Sequence, residues 1–515
     1  MLEQIVSLTT VSYFVFLTIV VGGYYIIPTK WQWRWLLFMS SFFYIAGAGI
    51  RMACIFFVSI ISTWACAVTL SRLNGSKGQN NVIKRRICIS SGILLNLSLL
   101  ASFKYLNLGI YTFNIWSGIW GQKVFTPFSI IAPIGMSFYM LQILGYLIDV
   151  YVGRCEAEKN LGKYTLFACF FPQMVTGPIS RYSELSVQLV CERNFNYKNF
   201  TFGLQRIIWG LFKKLVISER AAIIVNSVYD HYQIYSGFYI IIATICFAFQ
   251  LFADFSGAMD IVLGSAEILG IYLPENFEYP FSSRSISEFW RRWHITLGLW
   301  FKDYIFYPLL MTNLFIYVGD YWKKKIGKKY GKKIPVYIGL LVIWLMVGMW
   351  HGGAYKFILG CGLSYWIIIV GGELLEPILK RLVQSMKLNT DSMGFKRFQI
   401  IRTTILMCIT YVFFRAASFR TAINMIRSAC LLDWKILIDG SLLKLGLNAL
   451  NWFVLFLSLC ILFGVSVLQK KKDVRDQIAR LKLPFRWAVY YVMAFAILIF
   501  SVNGINISTF IYQNF

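Results

Sequence analysis

The sequence predicts an all-α protein that crosses a membrane many times. Three observations predict it. Hydrophobic residues make up 58% of the 515 positions and charged residues only 14%, with a mean hydropathy of +0.62. Soluble domains run at about 45–50% apolar and about 25% charged. The apolar residues are gathered into long uncharged runs that recur along the chain, which is the pattern of membrane-spanning helices. The net charge of +27 falls mainly between those runs, as the preference of Lys and Arg for the cytoplasmic side requires. Nucleic-acid binding is therefore not expected, because no basic region stands free of the apolar segments.

Taken in order, the first block offers spans at 11–27, 35–48, 53–70, 87–103 and 130–150. The core of the second is short for a hydrocarbon layer of about 30 Å. The first span reads as a retained helix, since no small-residue cleavage pattern precedes Lys30 and Arg34. Arg72, Lys77, Lys84, Arg85 and Arg86 mark a cytoplasmic loop. Counting back through three spans puts the N-terminus outside.

The last block offers spans at 334–350, 357–372, 400–414, 452–467 and 487–500. Basic loops at 323–333 (seven lysines), 380–402 and 470–486 separate them. With all three cytoplasmic, the helices alternate without conflict and the C-terminus lies outside.

The middle differs. Apolar stretches at 204–217 and 239–255 are accompanied by Pro172, Gly177, Pro178, Asp254, Asp260, Pro274 and Pro280. Irregular backbone and ionisable groups at membrane depth are costly, and usually line a functional cavity. Short, tilted and re-entrant helices are expected here. The division is 1–152 for N-terminal helices, 153–372 for the core and 373–515 for C-terminal helices. The 11 cysteines show no metal-ligand spacing and read as small buried hydrophobes. No metal site is expected.

Only three histidines are present. His294 ends Trp290-Arg-Arg-Trp-His294, in a segment whose start is expected at Ser287 and Glu288 and whose stop is expected at Pro308. At helical spacing Trp290, Arg291, Leu297 and Gly298 would share its face. The mixture of charges and aromatics fits an interfacial helix or the lining of a polar cavity, and His294 reads equally as a functional imidazole or as an interfacial side chain. His351 ends the run 334–350 and precedes Gly352-Gly353, with Gly348 one turn before. Such glycines let a substrate or another backbone approach. An imidazole near pKa 6.5 can take a hydroxyl proton at neutral pH. Holding two helices together is the competing role. His231, in Tyr229-Asp-His-Tyr-Gln233, reads as a surface-loop residue. Gln250 and Asp254 lie four apart on one helical face, to bond the core or to orient a histidine. Arg291 and Arg292 are candidates for binding phosphates or for anchoring their helix, with anchoring preferred. No nucleophile elbow, phosphate loop or zinc-protease motif is present in a usable context.

Together these stretches resemble the membrane-bound O-acyltransferase family. The matching segments are Pro133-Ile-Gly-Met-Ser-Phe-Tyr139, Tyr146-Leu-Ile-Asp-Val-Tyr151, Phe171-Pro-Gln-Met-Val-Thr-Gly-Pro-Ile-Ser-Arg-Tyr182, Asp254-Phe-Ser-Gly257, Leu273-Pro-Glu-Asn-Phe277, the run from Arg284 to His294, and Met349-Trp-His-Gly352. Phe414-Arg-Ala-Ala-Ser-Phe419 and Phe510-Ile-Tyr-Gln-Asn-Phe515 resemble the bacterial alginate O-acetyltransferase branch. The resemblance implies a ring of tilted transmembrane and re-entrant helices around a central tunnel in the bacterial plasma membrane. It implies an acyltransferase with His351 as catalytic histidine and His294 as the second, and with Arg291, Arg292, Trp293, Trp350, Gln250 and Asp254 as candidate substrate-binding residues. No bound cofactor is implied. Acetyl-CoA or an acyl carrier protein is the donor substrate, a polysaccharide is the acceptor, and an extracytoplasmic acetyltransferase is the expected partner. The D-alanyl transfer protein of teichoic acid synthesis is the nearest alternative, and a transporter or flippase of a lipid-linked saccharide is the competing class. Two departures stand out: the Lys356 in His351-Gly-Gly-Ala-Tyr-Lys356, and the lysine-rich expansion over 309–335.

Overall fold

The computed structural model describes residues 3–74, 79–119, 125–128, 132–502 and 510–511. Lys77, the first residues of the span expected at 130–150 and most of the closing Phe510–Phe515 motif lie outside them. Among the described residues the fold is helical, with one isolated antiparallel bridge between Phe277 and Trp293 and no strand. Eight helices among the described residues are long and apolar enough to cross a membrane. The protein is therefore an all-α, multi-pass membrane protein.

Helix α1 (Val11–Ile26) starts where the Thr10 hydroxyl accepts from the Tyr13 amide. The spans expected at 35–48 and 53–70 form one element, α2 (Gln32–Asn74), broken only at Gly49 with φ 77° and ψ 158°. A side chain at that φ is strained, so glycine marks the break. Helix α3 (Gln79–Lys104) follows at once. The basic stretch 72–86, expected as a loop, is thus mostly two helix ends. Lysine and arginine are good helix formers, and their long stems let a helix continue past its apolar core. Helices α4 (Leu106–Ile119) and α5 (Met136–Val152) complete the block, α5 being bounded by left-handed Gly135 and Gly153.

The middle is built from short pieces, as expected: α6 (Leu161–Cys169), α7 (Phe171–Met174), α8 (Tyr182–Val190), α9 (Tyr197–Leu211), a π-helical turn (Phe212–Ser218) and α10 (Glu219–Tyr229). The irregular stretch 170–180 is buried throughout, so protein surrounds its non-helical backbone. The long α11 (Phe238–Ile268) runs through the centre. After it come α12 (Ile286–Arg292), α13 (Ile295–Phe301), a second π-helical turn (Lys302–Phe306), α14 (Tyr307–Leu310), α15 (Asn313–Ile326) and α16 (Lys328–Gly331). The 323–333 lysines are again largely helical. The chain then forms α17 (Lys333–His351), a third π-helical turn (Lys356–Leu363), α18 (Ser364–Ser385), α19 (Met393–Arg415), α20 (Phe419–Ala429), α21 (Ala449–Gln469), α22 (Val474–Ala479) and α23 (Leu483–Phe500).

Helices α9 and α11 pack backbone against backbone. A Cβ on Gly203 would stand 2.6 Å from the Gly264 carbonyl oxygen, and one on Gly210 would stand 2.6 Å from that of Gly257. Paired glycines let two backbones touch, which is how helices gain packing where lipid removes the hydrophobic drive. Backbone cannot yield as a side chain can, so Gly210→Ala is expected to prise the helices apart. The expected loss is about 1–3 kcal/mol, read as a lower melting temperature in detergent. An unchanged melting curve would show that the contact is dispensable.

Candidate active site

The tight α9–α11 pair carries a buried charge cluster. Lys214 pairs with Asp254 at 2.7 Å and with Glu219 at 2.7 Å. Lys213 donates to the Ser256 hydroxyl at 3.0 Å and pairs with Asp260. Arg206 reaches Asp260 at 3.0 Å and holds both oxygens of Glu275, at 2.7 and 2.6 Å. The second oxygen of Asp254 accepts from the Ile511 amide at 2.8 Å. Asp254 is thus bound into the core, the first of the two roles expected for it. Gln250 lies on the same helix and is buried, and its side-chain oxygen has no hydrogen-bond partner among the described residues.

By fixing Glu275, Arg206 also fixes the next residue. The Asn276 carbonyl side chain accepts from the Thr296 amide (3.0 Å) and hydroxyl (2.8 Å) and lies 3.4 Å from His294 Nδ1. Its backbone oxygen accepts from the Ile295 amide at 3.1 Å. One residue therefore ties down the turn on which His294 stands.

That turn corrects the expected helix. The Ser285 hydroxyl caps α12 by accepting from the Glu288 amide, and Glu288 reaches back to the Arg284 amide. This N-cap places the start two residues before Ser287. The helix then breaks at His294, which is left-handed at φ 48° and ψ 51°, so Trp290, Arg291, Leu297 and Gly298 do not share one helical face with it. The chain does not stop at Pro308 either, because proline is tolerated in the first turn of α14. The reason for the break lies in Trp293. Its ring is fully buried, stacked on Phe289 at 5.5 Å and edge-on to Phe277 at 5.0 Å, while its backbone bridges to Phe277. A continuous helix would point this indole elsewhere.

His351 is the last residue of α17 and is 4% exposed; His294 is 2% exposed. Trp350 touches both. Its ring centroid is 5.5 Å from that of His294 and 5.0 Å from that of His351, and Phe138 closes a third side at 5.4 Å. Phe255 lies edge-on to His294 at 4.8 Å, and Phe414 to His351 at 5.5 Å. The glycines around His351 seat protein backbone: a Cβ on Gly348 would meet the Phe357 oxygen at 2.6 Å, and one on Gly353 the Lys104 oxygen at 2.6 Å. The carbonyls that α17 leaves open at its end are taken up by α3 and its successor. Lys104 donates to the Trp350 oxygen and, at 2.9 Å, to Ser137, and the Tyr105 hydroxyl donates to the Met349 oxygen at 3.0 Å.

Arg292 pairs with Glu288 at 2.8 Å and donates to Ser282 at 3.0 Å, whereas Arg291 is exposed. His231 lies exposed in a turn. Lys356 closes the end of α19 by donating to the carbonyls of Phe414 (3.3 Å) and Ala416 (2.7 Å). Near Thr296, a half-open cavity of about 180 Å³ is lined by Gln142, Ser180, Arg181, Glu184 and Tyr304 among others.

Lys104, Asn276 and the lysine pair were not singled out by the sequence. Lys104 had a signal: it is a cation at the end of span 87–103 farthest from the basic stretch 72–86, where charge bias does not call for one.

Two buried imidazoles thus pack against one indole inside a multi-pass helical protein. The model of the membrane-bound O-acyltransferase family matches residues 157–317, which include His294. The chain is 28% identical to the probable alginate O-acetylase AlgI of Pseudomonas syringae pv. tomato, over 80% of this chain and 73% of that protein. It is 28% identical to the peptidoglycan O-acetyltransferase of Helicobacter pylori, over 83% of this chain and 80% of that protein. Against the teichoic acid D-alanyltransferase of Bacillus subtilis it is 27% identical, over 45% of this chain and 57% of that protein. Residues 157–317 thus carry a membrane-bound O-acyltransferase domain, and O-acyl transfer is the enzyme class that this domain and the named relatives support.

Proposed function

We propose that this enzyme moves an acetyl group from a cytoplasmic thioester donor to a hydroxyl of an extracellular polysaccharide, or to an extracytoplasmic partner that completes the transfer. The observation that carries the reading is the pair of buried histidines, His294 and His351, packed against one ring, that of Trp350. His351 takes the proton of the acceptor hydroxyl, and His294 polarises the acyl carbonyl. With the basic stretches at the cytoplasmic face, both termini are outside the bacterial plasma membrane. Helix α17 then rises from Lys333 to end at His351 on the acceptor side. Helix α5 descends from Ser137, against Trp350, to Asp149, and passes the cavity rimmed by Arg181. That cavity is the donor side.

Acetyl is favoured over D-alanyl because the O-acetylase relatives match over 80% of the chain and the D-alanyl relative over 45%. The 323–333 lysines would meet the acidic surface of a carrier protein if that is the donor. The test is transfer by purified protein in liposomes, with labelled acetyl-CoA and an acetyl-loaded carrier offered side by side. Label leaving one donor for the acceptor is expected and identifies that donor. No transfer from either, by folded protein supplied with polysaccharide acceptors, would overturn the reading.

A further inference from the structure

We propose that Lys104 supplies the positive charge that stabilises the oxyanion formed during acyl transfer beside His351; the inference rests on the acyltransferase reading above. Lys104 is the last residue of α3 and is partly buried. Its ammonium donates to the Trp350 backbone oxygen and to the Ser137 hydroxyl, and it stands 5.5 Å from the centroid of the Trp350 ring. That ring is the one both histidines pack against. The cation is therefore one side chain away from each imidazole.

Two features separate it from a structural lysine. The first is its lack of a counter-charge. Lys213 and Lys214, both buried, each hold a carboxylate. Among the described residues no carboxylate pairs with Lys104. Enclosing an unpaired charge is expensive, and closing the end of α17 does not require one, since any N–H donor satisfies a carbonyl. The second is its spare valence. An ammonium has three N–H groups. Two are used, and among the described residues nothing accepts the third. A fixed donor carrying full positive charge, beside two imidazoles and an indole, is preorganised for negative charge that exists only during the reaction.

The step it serves balances as follows. The acceptor hydroxyl oxygen bonds to the thioester carbonyl carbon and its proton passes to His351. The carbonyl π pair moves onto oxygen, which becomes the anion facing Lys104. When that pair returns, the C–S bond breaks and the sulfur leaves with the proton from His351. The products are one ester and one thiol.

The test compares wild type, Lys104→Gln and Lys104→Arg in liposomes, with the donor that supports transfer. Glutamine keeps an N–H for the Trp350 carbonyl and loses the charge; arginine keeps both. Removing a charge-stabilising donor typically costs about 10²–10³ in kcat. Lys104→Gln is expected to lose about 100-fold in kcat with the donor KM within a few-fold of wild type, and Lys104→Arg to stay within about 10-fold. Melting temperatures of both should match wild type. Wild-type kcat in Lys104→Gln would overturn the inference and leave a capping role, as would a raised KM at unchanged kcat. Those outcomes leave the acyltransferase reading standing. Absence of transfer by the wild type removes that reading, and this inference with it.

Discussion

Replacing His351 by alanine is expected to reduce acyl transfer by about 10²–10⁴-fold, the range over which a positioned general base contributes. The side chain ends α17, and its ring packs against Trp350 and Phe414. The helix is closed by Lys104 and Tyr105 acting on backbone oxygens of the two preceding residues. Neither bond involves the imidazole. The variant should therefore insert and fold like wild type, with a small void where the ring stood, and lose turnover alone. The measurement is transfer per folded molecule, normalised by elution profile and melting temperature. Wild-type turnover by His351→Ala would sink the assignment of this residue as the base. A transporter would show the reverse: it would tolerate loss of His351 better than loss of Asp254 or Asp260.

Those two aspartates fail in another way. Asp260→Leu is expected to cost about 3–5 kcal/mol, because it strips Lys213 of its carboxylate. Lys213 is left enclosed with only the Ser256 hydroxyl, since Arg206 turns to Glu275. The loss should appear as a lower melting temperature and poor yield. Turnover per surviving folded molecule should change far less. Adding Lys213→Met should recover much of the stability, because removing both charges of a buried pair is much cheaper than removing one. If the double variant is no more stable than Asp260→Leu, the aspartate has a role beyond neutralising the lysine. Loss of turnover in a fully stable single variant would point to substrate or ion handling instead.

The sequence made the membrane helices legible because their signal is local: length and lack of charge are enough. The spans at 87–103, 334–350, 400–414, 452–467 and 487–500 each sit inside a helix of the structure. Helix ends were harder to place, because lysine and arginine prolong helices as readily as they end apolar runs. The cluster on α11 was half visible. Asp254 and Asp260 announce themselves as intramembrane charges, but their partners are two adjacent lysines. In a regular α-helix neighbours point about 100° apart. The π-helical turn at Phe212–Ser218 lets both lysines meet carboxylates of α11, and no periodicity reports such a turn. The break at His294 was invisible for a related reason. Neither glycine nor proline marks it, and it exists because Trp293 is pulled into a ring cluster assembled from Phe277 and Phe289. The two histidine motifs were legible one by one. Their packing against one indole is a fact of tertiary structure alone.

The bond from the Ile511 amide to Asp254 bears on the order in which the molecule is made. The two residues are 257 positions apart. At about 5–20 residues per second, the ribosome delivers this partner roughly 10–50 s after α11 has emerged. During that interval the central helix holds its polar heart with Lys214 in place and one carboxylate oxygen still waiting. Phe510, which ends buried over the Lys214 ammonium at 4.8 Å, arrives in the same late delivery. Assembly is thus a two-stage event, in which the helices gather first and two residues synthesised much later close over the buried Lys214–Asp254 pair.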